Sequence, residues 1–310
     1  MKARYTISLP VRTGVMLSVA CFLAFAPDCY LPMLARSFLV QWTALFLILS
    51  AAFLWLGSWW SAVSAMVGTG LLLMQIPMPL AGGPDPPTGS MLRVLHMNVW
   101  QPNERYGSAI EEALSSEADV ISIQEVDRHW AVELISRLGP SYPYARIEPR
   151  SNCYGIALFS KLPFERVNTM YLDGAPLIEA RFSVAGEPVR VISVHATSPI
   201  SYEHFHRRNR QLEGLVPIVA ATTIPTILVG DLNTVPWDGA FGRFCSRSGL
   251  RAAPVKGSRT WPSVGPLALI PLDHVLLSGQ ASATSISSFH VPGSDHRGLL
   301  AEIILPRNAP

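Results

Sequence analysis

Two hydrophobic patterns divide the chain. Up to residue 80 the apolar residues come in long, nearly uncharged runs: "TGVMLSVACFLAFAP" from 13, "SFLVQWTALFLILSAAFLWLG" from 37 and "SAVSAMVGTGLLLMQIPMPL" from 61. A membrane-spanning helix needs about 20 apolar residues, which the second and third runs supply. The first is shorter unless it continues through "DCYLPML", and it has the length of a signal-peptide core. No small-residue cleavage site precedes Asp28 and further runs follow, so three transmembrane helices are expected within 1–80. Past residue 90 the apolar runs shorten and become rich in β-branched side chains, as in "MLRVLHMN", "ADVISIQ", "EPVRVISV" and "TILVG". Those runs predict strands, with helical segments expected near 108–117 and 202–215.

Composition sharpens this division. Of 310 residues 49% are hydrophobic, and the mean hydropathy is +0.28. Residues 1–90 carry only Lys2, Arg4, Arg12, Arg36, Asp28 and Asp85 as charged groups, which leaves 20 basic and 20 acidic residues for 91–310. That formally neutral remainder is long enough for one well-buried domain. The stretch 81–90, "AGGPDPPTGS", reads as a Pro/Gly linker. The basic residues ahead of the first span place the N-terminus in the cytoplasm by the positive-inside rule. Three crossings would then put 91–310 on the outer side, and two would leave it in the cytoplasm. The cysteines (Cys21, Cys29, Cys153, Cys245) have no metal-finger spacing. In an oxidising compartment Cys153 and Cys245 are candidates to pair.

The strand-like runs share an ending. Each meets polar residues at one end: Asn98; Gln124 and Glu125; His195 and Thr197; Asp231 and Asn233; Asp273; Asp295 and His296. Any one of these alone is ordinary turn chemistry. Together they form the kit for hydrolysing a phosphate ester. Carboxylate and amide oxygens suit a hard cation, donors suit developing phosphoryl charge, and a water nucleophile needs a base.

Asn98, "QE" at 124–125, "GDLN" at 230–233, "LDHVLLS" at 272–278 and "SDH" at 294–296 stand in the order seen in the endonuclease/exonuclease/phosphatase superfamily, the DNase I-like group. Over 91–310 the chain resembles that family, and with its N-terminal segment it resembles the bacterial membrane-anchored branch. The resemblance implies an α/β fold, a four-layer α/β/β/α sandwich preceded by transmembrane helices. It implies that Glu125 is the principal Mg²⁺ ligand (Mn²⁺ as substitute), helped by Asn98 and Asp295. Asp231 would orient and deprotonate the attacking water, and Asn233 would hold that water or a phosphoryl oxygen. His195 would donate to a non-bridging oxygen, and His296, held by Asp273, would stabilise the phosphate. Thr260 lies near the place of a family hydroxyl residue, although a strand-edge Thr is an equal reading.

Substrate is less constrained, because the fold hosts several chemistries. Tyr154 is the candidate substrate-contacting aromatic. Arg207, Arg208 and Arg210 on the 202–215 helix could grip an anionic head group or form a solvated face. A neutral domain lacks the basic footprint of a nuclease, and the linker reaches at most roughly 40 Å. The expected partners are therefore membrane lipids, with a phosphorylated lipid or polyprenyl carrier at the outer face of a bacterial inner membrane as substrate. A membrane-tethered nuclease and a non-catalytic binding module are the alternatives.

Overall fold

The structure is a computed structural model that describes residues 8–77, 89–253, 259–264 and 267–306. The chain forms two compact units, Met1–Met78 with Pro236–Gly239, and Pro79–Val235 with Ala240–Pro310. Most of the 81–90 linker lies outside the described residues, and its last two residues, Gly89 and Ser90, already belong to a strand.

The first unit contains α1 (Leu9–Phe25), α2 (Tyr30–Ser37), α3 (Leu39–Trp55) and α4 (Trp59–Leu73). Three spans were expected, two of them full-length, but among the described residues no single helix is long and apolar enough to cross a membrane. Each shortening has a local cause. Ala26, which precedes Pro27, is extended and closes α1, as a pre-proline residue favours, and α2 departs at 103°. Phe38 leaves helical geometry between α2 and α3. Gly57, at a φ of 72°, ends α3, and Pro77 follows the end of α4.

Many large apolar side chains of this unit face outward, while Met16, Leu23, Leu39, Phe46 and Leu72 are buried among its helices. Leu47, Ile48, Leu54, Trp55, Trp59, Trp60, Met66 and Val67 are exposed, Trp55 by 87%. Ser50, Ser61, Ala62, Ser64, Ala65, Gly68 and Thr69 are buried. Ser50 donates to the Ala62 carbonyl at 3.0 Å across α3 and α4. Ser64 and Thr69 donate to carbonyls four residues back in their own helix. A Cβ at Gly68 would collide with the Phe46 ring, so Gly68 permits the close approach of these helices. Trp237, in the short excursion that joins this unit, donates to the Arg36 carbonyl at 2.7 Å.

The second unit is a sandwich. In chain order its first half comprises β1 (Gly89–Asn98), α5 (Tyr106–Ser115), β2 (Val120–Gln124), α6 (Arg128–Leu138), β3 (Tyr144–Glu148) and β4 (Ile156–Ser160). Then come β5 (Arg166–Leu172), β6 (Ala175–Val184), β7 (Glu187–Val194), α7 (Tyr202–Ala220), β8 (Thr226–Asp231) and α8 (Gly239–Ser248). The last strands are β9 (Arg251–Ala252), β10 (Trp261–Val264), β11 (Leu267–Ile270), β12 (Asp273–Leu277), β13 (Ser282–His290) and β14 (Arg297–Pro306). One six-stranded sheet has the order β13-β14-β1-β2-β4-β3, the other β5-β6-β7-β8-β12-β9, and β10 and β11 form a separate hairpin.

Alternation along the strands builds the layers. Leu92 and Val94 of the first sheet meet Ile178, Val191, Val229 and Val275 of the second between the sheets. Leu95, Met97, Ile121 and Ile123 face the other way, against Ile110, Trp130 and Leu134 of α5 and α6. Ile192, Leu228 and Leu276 do the same against Leu212, Leu215 and Phe244 of α7 and α8. The expected α/β/β/α layering is therefore present in this unit.

Candidate active site

The face that lines the space between the sheets changes character along each central strand. In β1 it reads Leu92, Val94, His96, Asn98; in β2, Val120, Ser122, Gln124; in β7 and beyond, Val189, Val191, Ser193, His195. In β8 it reads Ile227, Val229, Asp231, and antiparallel β12 reads Leu277, Val275, Asp273. Pairing puts Asn98 beside Gln124 and Asp273 beside Asp231. The polar strand ends are thus one layer, the continuation of the apolar core at one end of the sandwich.

Asp231 is at its centre, 1% exposed. Its Oδ2 lies 3.6 Å from His195 Nε2 and 3.7 Å from His296 Nε2, and 3.3 Å from Asn98 Nδ2. Oδ1 accepts from the Asn233 amide at 2.8 Å, which the left-handed φ of 49° at Asn233 allows. Asn233 Nδ2 donates to the Ala196 carbonyl. Gln124 explains the glycine of "GDLN". Its Oε1 accepts from the Asp231 amide at 3.0 Å and its Nε2 donates to the Val194 carbonyl. A Cβ at residue 230, where φ is +152°, would strike both that carbonyl and the Gln124 amide nitrogen.

His296 and Asp273 are bonded at 2.9 Å, Nδ1 to Oδ2. Burial works against charge on both. The mutual attraction and hydrogen bond win, holding Asp273 below the usual carboxylate range and pushing His296 up to about 10. Burial, then the charge of Asp273, pushes Asp231 well above the usual range. Burial also lowers His195, against the attraction of Glu125. The centre therefore combines a carboxylate that takes a proton readily, a cationic imidazole and a neutral one. Thr260 is buried beneath it, its Oγ1 accepting from the Leu272 and Asp273 amides.

Glu125 stands at the edge, with a φ of 65°. Its Oε1 accepts from Asn98 Nδ2 at 3.0 Å and its Oε2 from the Gln101 amide at 2.9 Å. Asn98 Oδ1 accepts from the Trp100 amide, and Trp100 also has a left-handed φ, 60°. Asp295 Oδ2 accepts from Trp261 Nε1 at 2.9 Å, while its Oδ1 is buried without a hydrogen-bond partner among the described residues. Donor atoms of Asp231, Asp273 and His296 lie within 4.8 Å of one another, close enough to hold a metal ion. The residues fit a divalent cation: negative charge crowds Asp231, since both Asp273 and Glu125 push its carboxyl upward, and oxygen donors are what a hard cation takes.

The arginine cluster divides. Arg208 is fully buried, with its guanidinium donating to the Asn233 carbonyl at 3.1 Å and lying over Phe205. It faces inward and braces the Asn233 turn, in contrast to the exposed gripping role expected of it. Arg207 and Arg210 both bind Asp173 in the β5–β6 turn, through its carbonyl and its carboxylate. Arg207 also lies 5.0 Å over the Tyr154 ring. Tyr154 donates to Thr197 Oγ1 at 3.1 Å, and its ring centroid is 5.8 Å from that of His195. All four cysteines are free.

His96, Ser122 and Ser193 were not among the residues expected at the site. Each is two residues before a residue that was singled out or aligned with one, on the same strand face, so the period of two was the available signal.

The profile of the Endonuclease/Exonuclease/phosphatase family matches residues 95–296, and the chain belongs to that family, whose members are metal-dependent phosphoesterases and nucleases. Nocturnin of Xenopus laevis is 27% identical over 175 residues, 49% of this chain and 45% of its own length; the match thus spans under half of that relative. TDP2 of D. rerio, solved with a single-strand DNA product, superposes with a TM-score of 0.58 at 16% identity, over 70% of this chain and 100% of its own. Sphingomyelinase C from Streptomyces griseocarneus gives 0.53 at 18% identity, over 68% and 99%. At these identities the two structures share the fold.

Proposed function

We propose that the protein is a metal-dependent phosphoesterase that hydrolyses a phosphate ester or pyrophosphate of a lipid or polyprenyl carrier at the outer face of the membrane. The observation that carries hydrolysis is Asp231, its Oδ2 placed between His195 and His296. Burial and the charge of Asp273 raise the pKa of the Asp231 carboxyl, which makes it a stronger proton acceptor than an ordinary carboxylate and suits a general base for an attacking water. Asn233 orients that water or a phosphoryl oxygen. Protonated His296, fixed by Asp273, donates toward the charge that develops on phosphate, and neutral His195 donates to a non-bridging oxygen. Glu125 with Asn98 would hold Mg²⁺, with Asp295 nearby in the chain to His296. A bound divalent cation supplies Lewis-acid stabilisation of phosphoryl charge.

The lipid half of the proposal is supported by the first unit. An outward face rich in large apolar side chains, with Ser50, Ser61, Ser64, Gly68 and Thr69 among the buried positions, is in keeping with helices packed in lipid. α3, at 17 residues, is about 26 Å long, near the roughly 30 Å hydrocarbon core, a mismatch that local thinning can absorb. The basic N-terminal residues place that end in the cytoplasm. Arg207 and Tyr154 would meet the head group. A fold shared with a sphingomyelinase is compatible with such a substrate; the fold shared with TDP2 bound to single-strand DNA product keeps a nuclease as the second reading.

The test uses full-length protein in detergent. Hydrolysis of a phosphorylated polyprenol in mixed micelles should require Mg²⁺ or Mn²⁺, stop with chelator, and exceed DNA cleavage at equal phosphate concentration. Faster DNA cleavage would replace the lipid reading with the nuclease one. Full activity in chelator would remove the metal from the mechanism.

A further inference from the structure

Asp273 has both carboxylate oxygens taken by imidazoles. His296 Nδ1 is on Oδ2, and His96 Nε2 is on Oδ1 at 2.7 Å. His96 is fully buried and lies two residues before Asn98 on the same face of β1. Its other nitrogen, Nδ1, is 3.5 Å from Ser122 Oγ, which is 2.6 Å from Ser193 Oγ. Ionised Asp273 only accepts, so His96 Nε2 carries a hydrogen. Ser122 and Ser193 thus stand on the far side of the His96 ring from Asp273. The chain Ser193, Ser122, His96, Asp273, His296 passes between the sheets three times before it ends at His296 beside Asp231.

A purely space-filling role does not account for this arrangement. One step deeper on the same strand face the chain uses Val94, and an apolar side chain there carries no desolvation cost. With His96 absent, Asp273 Oδ1 would lose its hydrogen-bond partner inside the protein and be free to rotate toward another.

We propose that His96 is a positioning residue for the hydrolytic reaction: it pins the Asp273 carboxylate so that His296 is held with Nε2 directed at Asp231. The inference rests on the phosphoesterase reading for its kinetic consequence, but the geometry of His296 can be measured without turnover.

The experiment compares His96→Leu, His96→Gln and Ser122→Ala in the full-length protein. Kinetics use bis(p-nitrophenyl) phosphate with Mn²⁺. Removing a partner behind an active-site group typically costs 10- to 100-fold, so His96→Leu should lower kcat by about that factor with KM little changed. His96→Gln, which keeps an N–H donor, should recover most of kcat even if its melting temperature matches that of His96→Leu. Ser122→Ala should lower kcat less than His96→Leu. The second readout is the downfield NMR resonance of the His296 Nδ1–H proton, assigned through its loss in His296→Asn. It should persist in His96→Gln and broaden or shift in His96→Leu. An unchanged kcat and an unchanged resonance in His96→Leu would overturn the proposal, as would a Gln variant no better than Leu on both. If His96→Leu does not fold, a His96→Gln or Ser122→Ala protein with wild-type kcat and a lost resonance, or the reverse, also counts against it. If wild type hydrolyses no ester, the functional reading fails while the NMR comparison still decides the role of His96.

Discussion

The two units bury polar side chains in different ways. In the helical unit the buried hydroxyls of Ser64 and Thr69 are satisfied by carbonyls of their own helix, while Ser50 reaches across to another, at Ala62. In the sandwich the buried polar groups satisfy one another between separate sheets: Gln124 with Asp231, His96 with Asp273, Ser122 with Ser193. A polar group that completes its bonds locally is a packing device, replaceable by a small apolar residue. One that completes them across elements fixes those elements relative to each other and leaves residual charge to act on a substrate. Burial of polar atoms is therefore weak evidence of a site until the partners are named.

That contrast can be broken by substitution. The largest effect is expected at Asp231→Asn, which should lower kcat by roughly 10²- to 10⁴-fold. Its melting temperature should hold or rise, since a carboxyl crowded by Asp273 and Glu125 is relieved. A large loss of stability with intact turnover would make Asp231 a packing residue. Next is the pH dependence of unfolding in the metal-free protein. The folded pKa of His296, about 10, lies above its ordinary 6.5, so its contribution to stability is complete below pH 6.5 and is lost as pH rises through about 10. Denaturant titrations should show a fall of a few kcal/mol across that window, and His296→Asn should flatten it. An unchanged slope in the variant would remove the charged His296–Asp273 pair. Gly230→Ala should then cost about 3 kcal/mol, because the new methyl meets a carbonyl of the neighbouring strand; a neutral result would show that the strand can shift. Smallest is Ser50→Ala in the helical unit, about 0.6 kcal/mol by unfolding in mixed micelles, with turnover of a soluble ester unchanged. A change in that turnover would mean the helical unit's polar interior is coupled to the chemistry.

Much of the site was legible because side-chain direction in a strand has a period of two and the motifs stand in a fixed order. Asn98, Glu125, His195, Asp231, Asp273 and His296 do come together. What was not legible is set by backbone and by distant partners. Glu125, Trp100 and Asn233 adopt left-handed φ values that L side chains usually avoid; the Trp100 and Asn233 amides bond to side chains two residues back, at Asn98 and Asp231, whereas Glu125 is met by the amide of Gln101, 24 residues away. Arg208 reads as one of three equivalent cations on a polar helix, yet it is the one turned inward, since helical phase and the nearby Asn233 carbonyl decide its fate. The expected spans were overdrawn because apolar runs were counted through Phe38, Gly57 and Pro77, where the backbone leaves the helix.

The bonds between the sheets have a consequence for how the site comes into being. His96, Asn98, Gln124 and Glu125 belong to one sheet's strands and loops; His195, Asp231, Asn233 and Asp273 belong to the other's. Neither sheet on its own holds a complete set, so a chain whose sheets have formed but not docked has no chemistry to perform. Activity should be the last property regained on refolding, later than strand content. The amide of Asp231, capped by a side chain from the opposite sheet, should exchange with solvent only when the sandwich opens as a whole.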